Sequence, residues 1–176
     1  YFPFRASNLL MGAVSGAMGL GVPAAVAAAL RCPDRPAVGL IGDGGFLMTG
    51  NELATAVRYR ARVRLFVANN ASFGTIRLHQ EKAYPGRTMA TGLTNPDFAR
   101  LAEAFGAVGL RATRPDQLDD VIKEMLATDK SVIADIHVDK MENCFPMIPS
   151  GAAHNEMLFG NSDDDSPVSE EGMVLV

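Results

Sequence analysis

The chain lacks the residues that mark several common classes of protein. It has no tryptophan and only two cysteines, Cys32 and Cys144, among its 176 residues. Two cysteines cannot build the disulfide scaffold of a small secreted domain, so we expect reduced thiols in a cytoplasmic protein. Neither sign of charge dominates, because 16 basic residues stand against 20 acidic ones and the net charge is −4. This balance predicts no nucleic-acid partner and no attraction to an anionic membrane surface.

The residues that are present have the balance of an ordinary globular protein. Hydrophobic residues make up 48% and charged residues 20% of the chain, which excludes intrinsic disorder and fibrous repeats. The length suits one domain, which we expect over residues 1–160. Because the chain opens at Tyr1 without a lead-in, we expect it to be cut from a longer polypeptide. Residues 161–176 are strongly acidic and predict a flexible tail.

Residues 9–30 form a segment of 22 residues without a charged side chain. Their number would allow a membrane span, and their alanine-rich end is similar to a signal-peptide cleavage site. Five residues interrupt the segment: Gly12, Gly16, Gly19, Gly21 and Pro23. Much of the rest is alanine, which is only weakly hydrophobic. We therefore favour a glycine-rich loop that leads into a buried helix over residues 23–30, and no membrane association.

Apolar runs alternate with helical patterns along the rest of the chain. Strands are predicted over residues 37–41, 63–68, 107–112 and 132–138. Helices are predicted over residues 50–59, 75–82, 95–105 and from 113 onward. Strands that alternate with helices predict an α/β fold, a three-layer sandwich whose mostly parallel sheet is covered by helices on both faces.

Three of these helices begin with capping signals. Thr49 and Glu52 form a T-x-x-E capping box. Asn95 is expected to cap the helix predicted over residues 95–105, with Pro96 in the first turn of that helix. Thr113 is expected to cap the last helix.

Polar residues follow two consecutive predicted strands. Asp43 comes directly after the first strand, and Asn69 and Asn70 end the second. In parallel sheets ligands bind beyond the carboxyl ends of the strands, where these side chains are expected. Carboxylate and amide oxygens suit Mg²⁺, and Gly44 and Gly45 would let backbone N–H groups approach phosphate oxygens. Each motif alone would be an ordinary turn, but together they predict a metal–diphosphate site.

A dinucleotide site is the alternative for the same region. Residues 19–24 fit the pattern G-x-G-x-x-A, and Asp43 follows at about the distance of a ribose-binding acid. That fingerprint needs a strand immediately before it, yet residues 9–18 lack a β-branched run and Pro23 lies inside the pattern. A non-catalytic nucleotide-binding module is therefore the less favoured interpretation.

The same motifs resemble a known family. Residues 42–44 together with residues 69–70 resemble the thiamin diphosphate signature, and residues 15–25 resemble the segment that precedes it in acetolactate synthases and related 2-oxo acid decarboxylases. Residues 145–151 resemble the C-terminal end of acetolactate synthase large subunits. The resemblance extends to about Phe159 and implies the C-terminal thiamin diphosphate-binding domain of this family, closest to the acetolactate synthase large subunit.

The resemblance implies roles for individual residues. The side chains of Asp43 and Asn70 and the carbonyl of Ser72 would ligate Mg²⁺. Met18 would be the apolar wedge that bends the cofactor, although Met18 as ordinary core packing is an open alternative. The Gly16 carbonyl would accept a hydrogen bond from the aminopyrimidine, whose amino group could then take the thiazolium C2 proton. The diphosphate would be surrounded by Gly44, Gly45, Phe73, Gly74 and Thr75.

The implied activity is decarboxylation of a 2-oxo acid and carboligation to a second 2-oxo acid, as in branched-chain amino acid biosynthesis. One departure concerns the acceptor, because the family usually carries a tryptophan where this chain has residues 77–81. A simple 2-oxo acid decarboxylase of the benzoylformate or indolepyruvate type is therefore the alternative. His79 is a candidate acid or base in the pocket. The alternative is that it is an ordinary exposed residue of a helix, without a chemical role.

A second departure concerns the partner domain. The family's activating glutamate belongs to an N-terminal pyrimidine-binding domain of a second subunit, which these residues do not include. We therefore expect a homodimer or tetramer, with no turnover by this chain alone. A regulatory small subunit, and FAD bound outside this domain, are compatible with the full-length enzyme.

Three further polar residues receive no chemistry. His137 and His154 are not spaced as a metal pair with either cysteine, so we expect them to be structural or exposed. Asp135 lies inside the last predicted strand and is expected to be satisfied by backbone or a neighbouring side chain.

Overall fold

The computed structural model describes residues 10–149 and 151–159. Their contacts divide them into two compact units. The first unit comprises residues up to 69 together with 95–137, and the second comprises 70–94 together with residues from 138 onward. The acidic tail predicted over residues 161–176 lies outside the described residues.

The first unit is built on a four-stranded sheet in which every pairing is parallel. The strands are β1 (Ala37–Gly42), β2 (Val63–Asn69), β3 (Val108–Ala112) and β4 (Val132–His137), and their order is β1-β2-β4-β3. The register places Gly42 beside Ala68 and Asn69 beside His137, so the carboxyl ends of β1, β2 and β4 meet at one edge. We call this the carboxyl edge of the sheet. The predicted parallel sheet is confirmed.

Helices cover both faces of this sheet. The helices of the first unit are α1 (Gly21–Arg31), α2 (Asp43–Thr49), α3 (Leu53–Arg58), α5 (Phe98–Ala104) and α6 (Leu118–Ala127). On one face α1, α2, α3 and α5 form a single apolar core with the sheet, and this core contains the ring contact between Phe46 and Phe98. On the other face Val121 and Met125 of α6 pack on β3 and β4. The predicted three-layer arrangement is therefore confirmed.

The second face is covered only in part. Residues of β1 alternate between buried and exposed, as expected for a strand with one face in the core. Val38 is 53% exposed and Leu40 is 81% exposed. Since α6 packs on β3 and β4, the β1 part of this face is left uncovered within the described residues.

Helix α5 lies unusually close to the backbone of β3. A Cβ atom at Gly109 would lie 2.1 Å from the carbonyl oxygen of Ala99. Real Cβ contacts are never this short, so only glycine allows the helix to rest directly on the strand at this point.

The predicted start of the helix over residues 50–59 is wrong. The chain turns into α2 already at Asp43, and a 3₁₀ turn over Gly50–Glu52 separates α2 from α3. The Thr49 hydroxyl donates to the carbonyl of Gly19 at 2.7 Å instead of capping a helix. A tertiary hydrogen bond has therefore replaced the predicted capping box.

Two other predicted caps are displaced along the chain. Asp97, not Asn95, caps α5, because its carboxylate accepts the backbone N–H of Arg100 at 3.0 Å. Helix α6 begins at Leu118 after a 3₁₀ turn, and Thr113 is bonded to the side chain of Gln117 rather than to a helix end. Both helices exist where predicted, but their first turns begin later.

The second unit contains one helix and several paired loops. Helix α4 (Gly74–Ala83) confirms the helix predicted over residues 75–82. Its Arg77 is 4% exposed and donates to the carboxylate of Glu81 at 2.6 Å and to the amide oxygen of Asn143 at 2.9 Å. Short antiparallel bridges join Ser72 to Gly92 and residue 147 to residue 158.

The glycine-rich start of the chain leads into α1, as predicted. Across the described ranges, no helix has both the length and the apolar character needed to cross a membrane. Cys32 and Cys144 are free thiols, which agrees with the expected absence of a disulfide.

Candidate functional site

Asp43 is a buried carboxylate at the carboxyl edge of the sheet. It is the first residue of α2, immediately after β1, and is 2% exposed. Its Oδ1 accepts the N–H of Gly44 at 2.8 Å, and its Oδ2 accepts the amide Nδ2 of Asn95 at 2.7 Å. It has no basic ion-pair partner within the described part of the chain. Burying an uncompensated carboxylate is costly, and each oxygen keeps acceptor capacity for a cation.

A chain of amide hydrogen bonds leads from Asp43 across the sheet. The Nδ2 of Asn95 also donates to Oδ1 of Asn69 at 2.8 Å, and Nδ2 of Asn69 donates to Oδ1 of Asp135 at 2.8 Å. Asn69 ends β2 and Asp135 lies in β4, so these bonds link the residue that follows β1 to two strands. The Oδ1 atom of Asn95 is buried and has no hydrogen-bond partner. We call Asp43, Asn95, Asn69 and Asp135 the edge network.

The far end of the edge network is anchored by a basic side chain. Asp135 is 1% exposed, and its Oδ2 lies 3.1 Å from Nε of Arg111 and 3.3 Å from Nε2 of His137. Arg111 also bonds to the carboxylate of Asp97, which is the main reason why its pKa is raised. The N–H of Arg100, followed by Arg111, lowers the pKa of Asp97. Asp135 is thus satisfied by neighbouring side chains, as predicted.

The segment predicted to contact the pyrimidine lies beside α2. Gly16 and Gly19 both have positive φ, at 69° and 89°. The Gly19 carbonyl accepts the Thr49 hydroxyl, and a Cβ at Gly45 would lie 3.9 Å from the Gly19 nitrogen. Met18 is 48% exposed and belongs to neither apolar core. Core packing therefore does not account for Met18, and its role as a wedge stays a prediction.

The second unit holds the other predicted ligands close to one another. The Oδ1 of Asn70 accepts the N–H of Ser72 at 3.0 Å, and the Ser72 hydroxyl donates to the carbonyl of Thr91 at 3.1 Å. A Cβ at Gly74 would lie 3.0 Å from Nδ2 of Asn70, so glycine makes room for this side chain.

The Ser72 carbonyl is not used by the antiparallel pairing of its segment. Hydrogen bonds from Phe73 to Thr91 and from Leu93 to Ala71 flank the bridge at Ser72. In this antiparallel pattern the carbonyl of Ser72 faces away from the paired segment. It accepts no backbone hydrogen bond within the described residues.

The remaining predicted residues lie on or next to α4. Phe73 is the N-cap residue of the helix and is half-buried, whereas Thr75 is exposed. His79 is also exposed, which fits the alternative of an ordinary exposed helix residue. Its candidate role in acid–base chemistry stays a prediction. Gly44 and Gly45 are buried in the first turn of α2.

Each of the two units, taken by itself, presents oxygen donors. No group of three or more His, Cys, Asp or Glu residues that could hold a metal occurs in residues 10–149 and 151–159. Asp43 in the first unit and Asn70 and Ser72 in the second present oxygen atoms, the ligand type that Mg²⁺ takes. The dinucleotide alternative does not fit, because no strand precedes Gly19 among the described residues.

Sequence reasoning missed the two residues that support Asp43. Asn95 was assigned to a helix cap, and Asn69 was treated only as the neighbour of Asn70. No spacing pattern links Asn95 to Asp43, because the contact is made by the loop between α4 and α5. The Asn-Pro-Asp sequence signals a helix start, and it does not reveal that the first of its polar side chains turns toward the sheet.

Comparisons with known proteins identify the family. Residues 1–136 match the model of the "Thiamine pyrophosphate enzyme, C-terminal TPP binding domain". The acetolactate synthase isozyme 2 large subunit of Escherichia coli K12 is 37% identical over 155 residues, covering 88% of this chain and 28% of that protein. The acetolactate synthase large subunit of Lactococcus lactis is 34% identical over 160 residues, covering 90% of this chain and 28% of that protein.

A solved structure supports the same fold. The thiamine diphosphate-dependent 4-hydroxybenzoylformate decarboxylase of Rhodococcus jostii RHA1 is 32% identical and superposes with a TM-score of 0.67. The match covers 71% of this chain and 24% of that one. The chain therefore spans less than three tenths of the length of these relatives. Fold and sequence agree that the chain belongs to the family of C-terminal thiamine pyrophosphate-binding domains of thiamine pyrophosphate enzymes.

Proposed function

We propose that the chain binds thiamin diphosphate together with Mg²⁺ in an acetolactate synthase-like carboligase. The observation that carries this proposal is Asp43, a buried carboxylate without a basic ion-pair partner among the described residues, at the carboxyl edge of the sheet in a domain of this family. A divalent cation would compensate the buried charge, and the cation would in turn hold a diphosphate.

Each proposed ligand has the chemistry that its role requires. Asp43 would supply the single carboxylate, Asn70 an amide oxygen and Ser72 a backbone carbonyl. The Ser72 carbonyl accepts no backbone hydrogen bond among the described residues, which supports the last of these assignments. Gly44, Gly45, Phe73, Gly74 and Thr75 are the proposed surroundings of the diphosphate, with Gly16 and Met18 toward the pyrimidine. When bound, thiamin diphosphate supplies the electron sink that loss of CO₂ from a 2-oxo acid requires.

Binding of the cofactor is tested by calorimetry on the natural polypeptide that contains this chain, at its full length. Thiamin diphosphate is titrated with Mg²⁺, then with EDTA in place of Mg²⁺, and NAD is titrated as the control ligand. Metal-dependent heat with thiamin diphosphate and none with NAD is the expected result. Binding of NAD without binding of thiamin diphosphate would instead establish the nucleotide-binding alternative.

The proposed substrates are two 2-oxo acids, namely two pyruvates or pyruvate and 2-oxobutyrate. The similarity to acetolactate synthase large subunits over most of the chain supports this choice. Incubation with pyruvate should then release acetolactate. Acetaldehyde as the product would contradict the carboligase proposal.

A simple 2-oxo acid decarboxylase is the second candidate. His79 occupies the stretch in which acetolactate synthases carry a tryptophan, and the Rhodococcus structure is titled a 4-hydroxybenzoylformate decarboxylase. Benzoylformate offered beside pyruvate in the same product analysis distinguishes the two candidates. Release of benzaldehyde without any carboligation product would favour the decarboxylase.

The proposed assembly is a homodimer or tetramer in the cytoplasm. A second subunit would provide the pyrimidine-binding domain with its glutamate. The full-length enzyme is compatible with FAD bound outside this domain and with a regulatory small subunit. Sedimentation of the natural polypeptide with and without the cofactor tests the oligomeric state. A monomer that turns over pyruvate would contradict the requirement for a second subunit.

A further inference from the structure

Asn95 is held between a charged and a neutral acceptor. Its single amide nitrogen donates one hydrogen to Oδ2 of Asp43 at 2.7 Å and the other to Oδ1 of Asn69 at 2.8 Å. Both donor positions of the amide are therefore used. Its carbonyl oxygen is buried and unpartnered, so the residue is placed for its donors and not for its acceptor.

The charged ends of the edge network determine how both amides are oriented. If the amide of Asn69 were rotated by half a turn, its oxygen would face the carboxylate of Asp135 at 2.8 Å. If the amide of Asn95 were rotated, its oxygen would face the carboxylate of Asp43. Either rotation would place an amide oxygen against a negatively charged carboxylate oxygen. Only one arrangement of the hydrogen bonds is therefore favourable. Arg111 neutralises Asp135 and thereby secures the far end.

This arrangement orients the Asp43 carboxylate before any cation arrives. Its Oδ1 is held by the Gly44 N–H and its Oδ2 by Asn95, so both oxygens have a defined direction. A carboxylate that is oriented in advance does not lose rotational freedom when it binds a metal.

We propose that Asn95 is a positioning residue that sets the Asp43 carboxylate for Mg²⁺ binding, with Asn69 as its support. The inference rests on the proposed function, because it assigns Asn95 to the same cation. Asn95 itself does not touch the metal in this scheme. It acts through Asp43, and Asn69 acts through Asn95.

The test compares three alanine variants of the natural polypeptide at its full length. They are Asn95→Ala, Asn69→Ala and Ser131→Ala. Ser131 directly precedes β4, at the edge of the sheet opposite to Asp43, and its hydroxyl donates a buried hydrogen bond to the carbonyl of Ala61. Its variant therefore also loses a buried polar contact and serves as the matched control. Mn²⁺ is titrated at a fixed concentration of thiamin diphosphate, and free Mn²⁺ is followed by electron paramagnetic resonance. The thermal midpoint of each variant is measured without metal and cofactor.

We expect Asn95→Ala to raise the Kd for Mn²⁺ by about 10- to 100-fold, the usual effect of losing a partner that orients a metal ligand. Asn69→Ala should raise it by a smaller factor, because it acts one hydrogen bond further away. Ser131→Ala should lower the thermal midpoint and leave the Kd within about twofold of the parent value. A Kd that rises in the first two variants and not in the third supports the positioning role.

The other outcomes overturn specific statements. If the parent protein shows no thiamin diphosphate-dependent binding of Mn²⁺, the proposed function fails and the inference fails with it. If the parent binds Mn²⁺ and Asn95→Ala binds it equally well, only the inference fails. If Ser131→Ala weakens Mn²⁺ binding as much as Asn95→Ala does, the effect comes from general destabilisation and the inference fails. If Asn95→Ala does not fold, the Asn69→Ala variant decides, and an unchanged Kd for Mn²⁺ in that variant would reject the inference.

Discussion

The Nε atom of Arg111 lies 3.1 Å from Oδ2 of Asp135, directly across the pairing of β3 with β4. The two side chains differ in exposure, since Arg111 is 37% exposed and Asp135 only 1%. A buried carboxylate with a single guanidinium partner depends mainly on that partner for its charge compensation. This relationship makes Arg111 the electrostatic anchor of the edge network, and it leads to the first prediction.

Replacement of Arg111 by alanine should destabilise the fold. The variant leaves Asp135 buried with only neutral donors and a half-exposed histidine, and the expected loss of unfolding free energy is about 1–3 kcal/mol. Urea denaturation of parent and variant measures this loss. Arg114→Ala is the matched control, because Arg114 pairs with an exposed Asp116 and its loss should cost about 0–1 kcal/mol. Equal stability of the two variants would contradict the anchoring role of Arg111.

The stability contributed by Asp97 should depend on pH. Its pKa is lowered from 3.8, first by the N–H of Arg100 and then by Arg111. A lowered pKa in the folded state stabilises the protein above the unfolded-state pKa, and this stability is lost as the pH falls through the folded-state value. Asp97→Asn keeps a capping side chain and removes the titration.

Urea denaturation of parent and Asp97→Asn between about pH 3 and about pH 6 tests this expectation. The parent should be the more stable protein at the upper end of this range, and the difference should shrink toward the lower end. A difference that is constant over the whole range would show that the titration of Asp97 does not contribute.

Loss of the Asp43 carboxylate should separate cation binding from folding. Asp43→Ala removes the only carboxylate among the proposed Mg²⁺ ligands, so calorimetry should detect no metal-dependent binding of thiamin diphosphate. Asn70→Ala should weaken binding less, because water can replace a neutral ligand. Both variants should retain a cooperative thermal transition, since the removed groups lie outside the apolar cores. Unchanged affinity in Asp43→Ala, with the exposed Asp34→Ala as control, would reject the ligand assignment.

Truncation of Met18 should affect turnover more than stability. The side chain is 48% exposed and outside both apolar cores, so Met18→Ala should change the unfolding free energy by about 0.5 kcal/mol or less. If Met18 is the wedge that bends the cofactor, kcat should fall by more than about tenfold. Met125→Ala is the opposite case, because Met125 is 1% exposed and its truncation should cost about 2–5 kcal/mol. Unchanged kcat in Met18→Ala would leave the residue without a role at the cofactor.

Much of the fold could be predicted because the apolar runs are local. The strands β1 to β4 were all found within one residue of their ends, since each is a short, mainly apolar run that stops at or next to a glycine or a polar residue. Helix α4 was found for the same reason, between Gly74 and the sequence around Pro85. These signals depend only on neighbouring residues.

The errors arise where a side chain prefers a distant partner to a local one. Thr49 was predicted to cap a helix, but its hydroxyl reaches the carbonyl of Gly19, 30 residues earlier. Asn95 was predicted to cap α5, but its amide reaches Asp43, 52 residues earlier. Local capping preferences are worth about 1 kcal/mol, so a buried charged acceptor can outweigh them. The sequence contains no periodic signal for such pairs.

The contact between Gly109 and Ala99 leaves no space between β3 and α5 for a side chain at residue 109. A methyl group at residue 109 would need the space of the Ala99 carbonyl oxygen, so any replacement lifts the helix away from β3. The loop that carries Asn95 runs directly into this helix, and its last residue, Asp97, is bonded to Arg111 on the same strand as Gly109. A mutational scan scored by metal affinity would therefore mark Gly109 as intolerant, although glycine has no side chain to offer a ligand. The geometry of the proposed cation site thus depends in part on the absence of a side chain at one residue of β3.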